Sequence, residues 1–194
     1  MTQPARQLYS FQDYLRLERE SPTRHEFLNG EVWAMAGGSP RHSAIAANIV
    51  RMLGNSLAGR RCGVFNSDLR MRVKATGLAT YPDASVIRGR VELDPDDDKG
   101  HTATNPTLLV EVLSPSTERY DRGEKLAHYK QIPSLREVML VAHDERRVNL
   151  WRRTDTEWTQ LVFRDGQDVE LASLGVSLPV SDIYFDPLAE PERD

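Results

Sequence analysis

Leu108-Leu109-Val110-Glu111-Val112-Leu113-Ser114-Pro115-Ser116-Thr117 is the stretch on which the fold turns. Its apolar run, closed by Ser-Pro, has the length and pattern of a strand buried on both faces. A carboxylate stands in the middle of that run. Burying an ionised carboxylate without compensation is costly, so such groups are usually paired or bind metal. Glu111 therefore reads as a metal ligand; the alternative is an edge strand from which it faces water.

Upstream, Tyr81-Pro82-Asp83-Ala84-Ser85-Val86-Ile87 reads as another strand with an aspartate near its start. Pro-Asp pairs also suit turns, so Asp83 alone says little. Paired with Glu111 across neighbouring strands it would place two hard oxygen donors on one rim. That suits magnesium, which keeps several waters beside one or two carboxylates. Downstream, a helix is expected at about 120–132. On its wheel Leu126, Tyr129 and Ile132 cluster on the side of Lys125, so a lysine lies inside the apolar stripe that should face the sheet. Its ammonium could reach the Asp83–Glu111 rim. Equally open are an exposed Asp121–Lys125 pair at i,i+4 and a stem that snorkels outward.

The rest of the 194-residue chain supplies the frame. Ser10 is a fitting N-cap for a helix through about Glu20. Residues 26–33 read as two strands about an Asn29-Gly30 turn, and 41–58 as the longest helix. Strands are expected within 63–73, at 137–142 and at 148–152, with 157–163 and 168–171 as a final hairpin. The acidic loop 92–105 is expected to be mobile. This order predicts a mixed α/β sandwich in one domain, 1–194, with its core at about 10–185.

Composition narrows the function. Net charge is −4, which does not announce a nucleic-acid binder. Basic residues nonetheless gather at Arg60 and Arg61, at Arg70, Arg72 and Lys74, and at Arg119, Arg122, Lys125 and Lys130. A lone cysteine, Cys62, excludes an intrachain disulfide. MTQPARQ lacks the apolar stretch of a signal peptide, and no apolar run approaches the roughly 18 residues that span a bilayer. A cytoplasmic protein without membrane association is expected. His101, His128 and His143 show no ligand spacing, which argues against structural zinc. P-loop, dinucleotide and nucleophile-elbow motifs are absent.

Tyr81-Pro82-Asp83, then Glu111-Val112-Leu113-Ser114-Pro115-Ser116-Thr117, then Asp121, Lys125 and Tyr129, together resemble the Uma family of restriction-endonuclease-like proteins. Glu26, Gly30 and Glu31 ahead of Met35-Ala36, with His42 opening the long helix, match that family's N-terminal pattern. The resemblance covers about residues 10–185. It implies the PD-(D/E)XK nuclease fold, a mixed sheet flanked by helices, with Asp83 and Glu111 on the motif's two acidic positions. In the simple motif the lysine follows the Glu by two residues, where this chain has Leu113. The family pattern puts it on the next helix, at Lys125.

The expected activity is hydrolysis of a nucleic-acid phosphodiester, most readily DNA. Asp83 and Glu111 would hold magnesium, with manganese able to substitute, and Lys125 would position the nucleophile or stabilise the phosphorane. Glu26 and His42 are supporting candidates, and Arg70, Arg72, Lys74, Arg119 and Arg122 are candidates for backbone contact. Duplex cleavage would suit a homodimer. The rival expectations are a catalytically silent binding or assembly module and a hydrolase of RNA or small phosphodiesters.

Overall fold

The sequence places helix and strand signals by burial period, and the computed structural model, which describes residues 8–35 and 37–188, follows them closely. MTQPARQ and Ala36 lie outside the described residues. Ser10 caps α1 (Phe11–Glu20) in a capping box with Asp13. β1 (His25–Leu28) and β2 (Glu31–Ala34) pair around Asn29 and Gly30, both at positive φ (51° and 86°). That is the demand of a tight two-residue hairpin, which glycine and asparagine meet most cheaply. α2 (Pro40–Ser56) starts with Ser39 as N-cap and proline in its first turn.

β3 (Cys62–Asn66), β4 (Arg70–Arg72), β5 (Ala79–Thr80), β6 (Ala84–Arg88), β7 (Thr102–Ala103) and β8 (Leu108–Val112) follow. One helical segment then runs through α3 (Glu118–Tyr120), a π turn at Asp121–Lys125, and α4 (Leu126–Tyr129). β9 (Glu137–Val141), β10 (Arg147–Arg153), β11 (Trp158–Arg164), β12 (Asp168–Leu171), β13 (Val176–Pro179) and α5 (Val180–Ile183) complete the chain. Among the described residues no helix is long and apolar enough to cross a membrane.

The architecture is mixed α/β. A six-stranded sheet in the order β11-β10-β9-β8-β6-β3 has β8 and β9 parallel and the other pairs antiparallel. A five-stranded sheet, β2-β1-β5-β4-β7, lies beside it. β8 is buried along its whole length. Its alternation sorts the core: Leu108, Val110 and Val112 pack with Ile45, Ile49, Met52 and Leu53 of α2, whereas Leu109 and Leu113 pack with Leu126, Tyr129 and Ile132. Glu111 shares the period-2 face of Leu109 and Leu113 and so meets the helical segment that carries Lys125.

Two expectations need correction. The strands at 157–163 and 168–171 do not form a hairpin: β11 pairs with β10 over seven residues, and β12 pairs with β13. Leu161 and Phe163 continue the cluster of the large sheet, whereas Val169 and Leu171 pair with Leu178 and Val176 across the turn that Gly175 closes. The acidic loop is anchored, not free. Asp94 and Asp97 are 1% and 5% exposed. Asp97 accepts from Thr102 Oγ1 at 2.7 Å, from the His101 amide at 3.1 Å and from Arg70 at 2.9 Å. A buried carboxylate with that many donors fastens a loop.

Candidate active site

Lys125 lies at the centre. Its Nζ is 3.0 Å from Glu26 Oε1, 3.0 Å from Glu111 Oε1 and 3.4 Å from Asp121 Oδ1, and the side chain is 4% exposed. An ammonium has three protons to give, and three carboxylates surround it. Glu111 also accepts a 2.5 Å bond from the Tyr129 hydroxyl, and Glu26 accepts one from Thr80. The elements explain the convergence: Glu26 comes from β1, Glu111 from β8, Asp121 and Lys125 from the π turn, and Tyr129 from α4. Both ends of that turn, Asp121 and Lys125, face inward.

Asp83 immediately precedes β6, in which Ala84 lies opposite Val110 of β8. Continuing that register sets Asp83 beside Glu111. Its Oδ2 accepts from the Val112 amide at 2.7 Å and lies 3.3 Å from His42 Nε2. His42 also bonds the backbone of Val112. The imidazole thus enters from the start of α2 and bridges Asp83 to the strand of Glu111.

These contacts disturb the ionisation of the whole group. Burial pushes the Glu111 carboxyl up to about 8, with Lys125 opposing and Asp121 and Asp83 reinforcing the rise. Asp121 is raised, chiefly by burial and against Lys125. For Lys125, burial disfavours the ammonium, but Glu111, Tyr129, Glu26 and Asp121 together hold it well above the usual lysine range. The Asp83 hydrogen bond raises His42 against the effect of burial. Four carboxylates (Glu26, Asp83, Glu111, Asp121) thus meet one ammonium and one imidazole. With all of them ionised, two negative charges remain without a cation.

A cavity of about 610 Å³ opens onto this cluster, lined among others by Trp33, His42, Asp83, Glu111, Tyr120 and His143. Trp33 and Tyr120 meet edge to face in its wall, 6.4 Å between centroids. Beside it, sharing His42, Tyr81 and Asp83, runs a groove walled by Ala46, Ala47 and Val50 of α2 with Arg24 and Arg51 at its margin. The sequence reading passed over Arg24 and Arg51 and set His143 aside for want of ligand spacing. None carries a local signal, since only the fold brings them to the cleft. Ser114 bonds Ser116 and Thr117, and none of these hydroxyls bonds the Glu111 carboxylate.

The basic residues fare unevenly. Arg70 was expected at a nucleic-acid backbone, but it is 5% exposed, held by Asp97, Tyr81 and Thr102 with its guanidinium over the Tyr14 ring. Arg72 stacks on Phe11 at 3.3 Å and faces Asp94 and Asp96. Arg122 pairs with Glu118 at 2.6 Å. All three bind within the protein: Arg70 is buried, Arg72 and Arg122 are partly so, and this chain supplies acids beside each. Lys74 is exposed, in a different cleft lined by Arg88 and Thr107. Arg119 is exposed next to Tyr120 of the cavity wall.

The sequence from 11 to 181 matches the model of the Uma2 family, described as "Putative restriction endonuclease". The chain belongs to the Uma2 family. Two proteins of Synechocystis sp. are similar along most of their length. The uncharacterized protein slr1290 is 38% identical over 175 residues, covering 89% of this chain and 90% of its own. The uncharacterized protein sll1609 is 31% identical over 162 residues, covering 82% and 89%. The crystal structure of a "putative nuclease belonging to DUF820" from Anabaena variabilis superposes with a TM-score of 0.72 at 21% identity, covering 89% of this chain and 96% of that one. The Uma2 fold of this chain is therefore nuclease-like.

The donor set can be tested against a divalent metal. Among the described residues, no three His, Cys, Asp or Glu side chains converge closely enough to enclose an ion. Magnesium does not ask for such a cage: one or two carboxylates and several waters suffice. Asp83 and Glu111 meet that demand, side by side in the register of β6 and β8. The uncompensated negative charge favours a cation at this spot. The residues fit.

Proposed function

We propose that this Uma2 protein is a metal-dependent endonuclease that hydrolyses phosphodiester bonds of nucleic acid, with DNA as the first substrate to test. The observation that supports it above others is Glu111: a carboxylate in the middle of a buried strand, 5% exposed, with the Lys125 ammonium 3.0 Å away. Asp83 and Glu111, with the Val112 carbonyl, would hold magnesium or manganese. The ion, when bound, supplies a water of lowered pKa and neutralises charge on the phosphate.

The chain's own groups do the rest. Lys125 remains an ammonium at neutral pH, so as a compact positive charge beside Glu111 it stabilises negative charge as it develops on the phosphate. Glu26, Asp121 and the Tyr129–Glu111 bond fix where that ammonium points. His42 orients Asp83. Water adds to phosphorus, one bridging P–O bond breaks, and a phosphate monoester and a hydroxyl leave. The adjoining groove gives the strand a path, with Arg51 at that groove and exposed Arg119 beside Tyr120 as candidate backbone contacts. Cutting both strands of a duplex calls for two such sites, and a homodimer would provide them.

Supercoiled plasmid incubated with magnesium or manganese tests the reading, wild type against Glu111→Ala. Nicking by wild type alone supports it. Equal nicking by both proteins would assign the activity to a contaminant. Duplex, single-stranded and RNA substrates tried side by side identify the preferred polymer.

A further inference from the structure

At the end of the large sheet remote from Asp83, β6 finishes at Arg88, β9 is entered through Arg136, and β10 finishes at Arg152 and Arg153. Five residues of strand at about 3.3 Å each separate the two ends by roughly 15 Å. Thr107, just before β8, ties this end together: its amide bonds Val86, and its carbonyl accepts from Arg136 and Glu137. The four arginines line a cleft of about 600 Å³ with Thr107, Ser134, Glu137 and Ser173.

Glu137 is the one acid in that lining, and it is fully engaged. Its oxygens take Arg152 Nε at 2.8 Å, the amides of Ala172 and Ser173, and the Ser173 hydroxyl at 2.5 Å. Arg153 is held by the carbonyls of Lys130, Ile132 and Pro133. Two guanidinium groups stay available. Arg88 is exposed and reaches only the Ser173 carbonyl, at 3.5 Å. The Arg136 guanidinium is exposed and has no hydrogen bond or ion pair among the described residues, although it lies close enough to Arg153 to lower that residue's pKa, second to burial. Like charges that share one cleft without a carboxylate bonded to them are at a disadvantage unless an anion joins them. A second cleft continues from this one through the shared Arg88, Thr107 and Ser134 and carries exposed Lys74, with Arg72 and one acid, Glu92, also on its lining.

We propose that Arg136, Arg88 and Lys74 form a second anion-binding track, separate from the catalytic cavity, that takes successive phosphates of a nucleic-acid backbone. It rests on the nucleic-acid reading for its ligand, but not on catalysis. Cations spaced along one groove suit a polyanion better than a single small anion. In a chain of net charge −4 they also concentrate attraction on one end of the molecule. The track would hold a flanking segment while the other end cuts.

The test is anisotropy of a short labelled duplex, without metal, over a series of salt concentrations. Wild type, Arg88→Glu/Arg136→Glu, Lys74→Glu and Glu111→Gln are compared, with inorganic phosphate as competitor. The arginine double variant, altered at exposed positions, is expected to bind at least about tenfold more weakly and to lose about two units of salt slope. Glu111→Gln should keep the wild-type slope, which separates this track from the catalytic proposal: nicking can fail while the track survives. Wild-type affinity and slope in the double variant would overturn the inference. So would an absence of duplex binding by wild type, or binding of inorganic phosphate alone.

Discussion

Metal binding should release a proton, and the Glu111 carboxyl sets how many decades that is worth. Burial lifts this group from 4.5 to about 8, so at neutral pH the folded protein without metal holds it mostly protonated. A cation needs it ionised. Each pH unit below 8 therefore costs about 1.4 kcal/mol of apparent binding energy, or a factor of about ten in affinity. Apparent affinity for manganese should rise about tenfold from pH 6 to 7, about fivefold from 7 to 8, and then flatten. Because the folded-state value lies above 4.5, the stability attached to this carboxyl is full below 4.5 and is lost as pH rises through about 8. Metal-free protein should soften over that window while protection by metal grows. Titration calorimetry in two buffers of different ionisation enthalpy counts the protons directly. One proton below pH 8 is expected. His42 is also raised, so a slope of two decades per unit would mean that it too surrenders its proton. Glu111→Gln should bind weakly and without slope. A flat affinity from pH 6 to 8, or an unchanged slope in Glu111→Gln, would refute the assignment of Glu111 as a ligand.

Lys125→Met should cut nicking at saturating metal by at least about 100-fold, read on supercoiled plasmid. It should also lower stability at pH 7.5 by about 3–5 kcal/mol, because Glu26 and Asp121 lose their cation, with a smaller loss at pH 5, toward which the raised Asp121 carboxyl takes a proton more readily; urea melts at the two pH values measure both. Tyr129→Phe removes one short bond to Glu111 and keeps the ring, so a loss of about 1–3 kcal/mol is expected in the same melts. Arg70→Ala should destabilise by about 3–5 kcal/mol through stranded Asp97 while leaving the nicking rate of folded protein unchanged. A stable Arg70→Ala with weakened DNA binding would restore the backbone-contact role that its burial argues against.

How much of this could be read in the sequence depends on the range of the physics involved. The Asn29-Gly30 hairpin, the Ser10 cap and the long helix from Pro40 are local events, and their signals are local. Glu111 was legible because a charge in an apolar run is anomalous wherever the strand goes. The pairing of β12 with β13 was less so: Gly175, at positive φ (61°), marks the turn between them, but the choice of β13 over β11 as partner is settled by the packing of Val169, Leu171 and Leu178 in the core. Arg70 and Lys74 show the same limit for function. They sit four residues apart and read as one basic cluster, yet Arg70 faces inward to Asp97 and Lys74 faces solvent. Strand alternation and loop closure decide such questions, and neither is visible in charge spacing.

The lysine shows why a motif can move along the chain while its chemistry stays put. A lysine two residues after Glu111 would share its strand face, but that position is Leu113, 1% exposed and packed with Leu126 and Tyr129. An ammonium there would displace the apolar contact that docks the helix. Bringing the charge from the helix keeps Leu113 in the core, and the π turn makes this compatible with packing. Its wider turn directs Asp121 and Lys125 to the carboxylates while Leu126 and Tyr129 remain in the apolar cluster. Such turns lie off the regular i→i+4 ladder and recur at functional sites. What phosphoryl transfer requires is a positive charge at one point beside two carboxylates; which element delivers it is a matter of how the core can be filled.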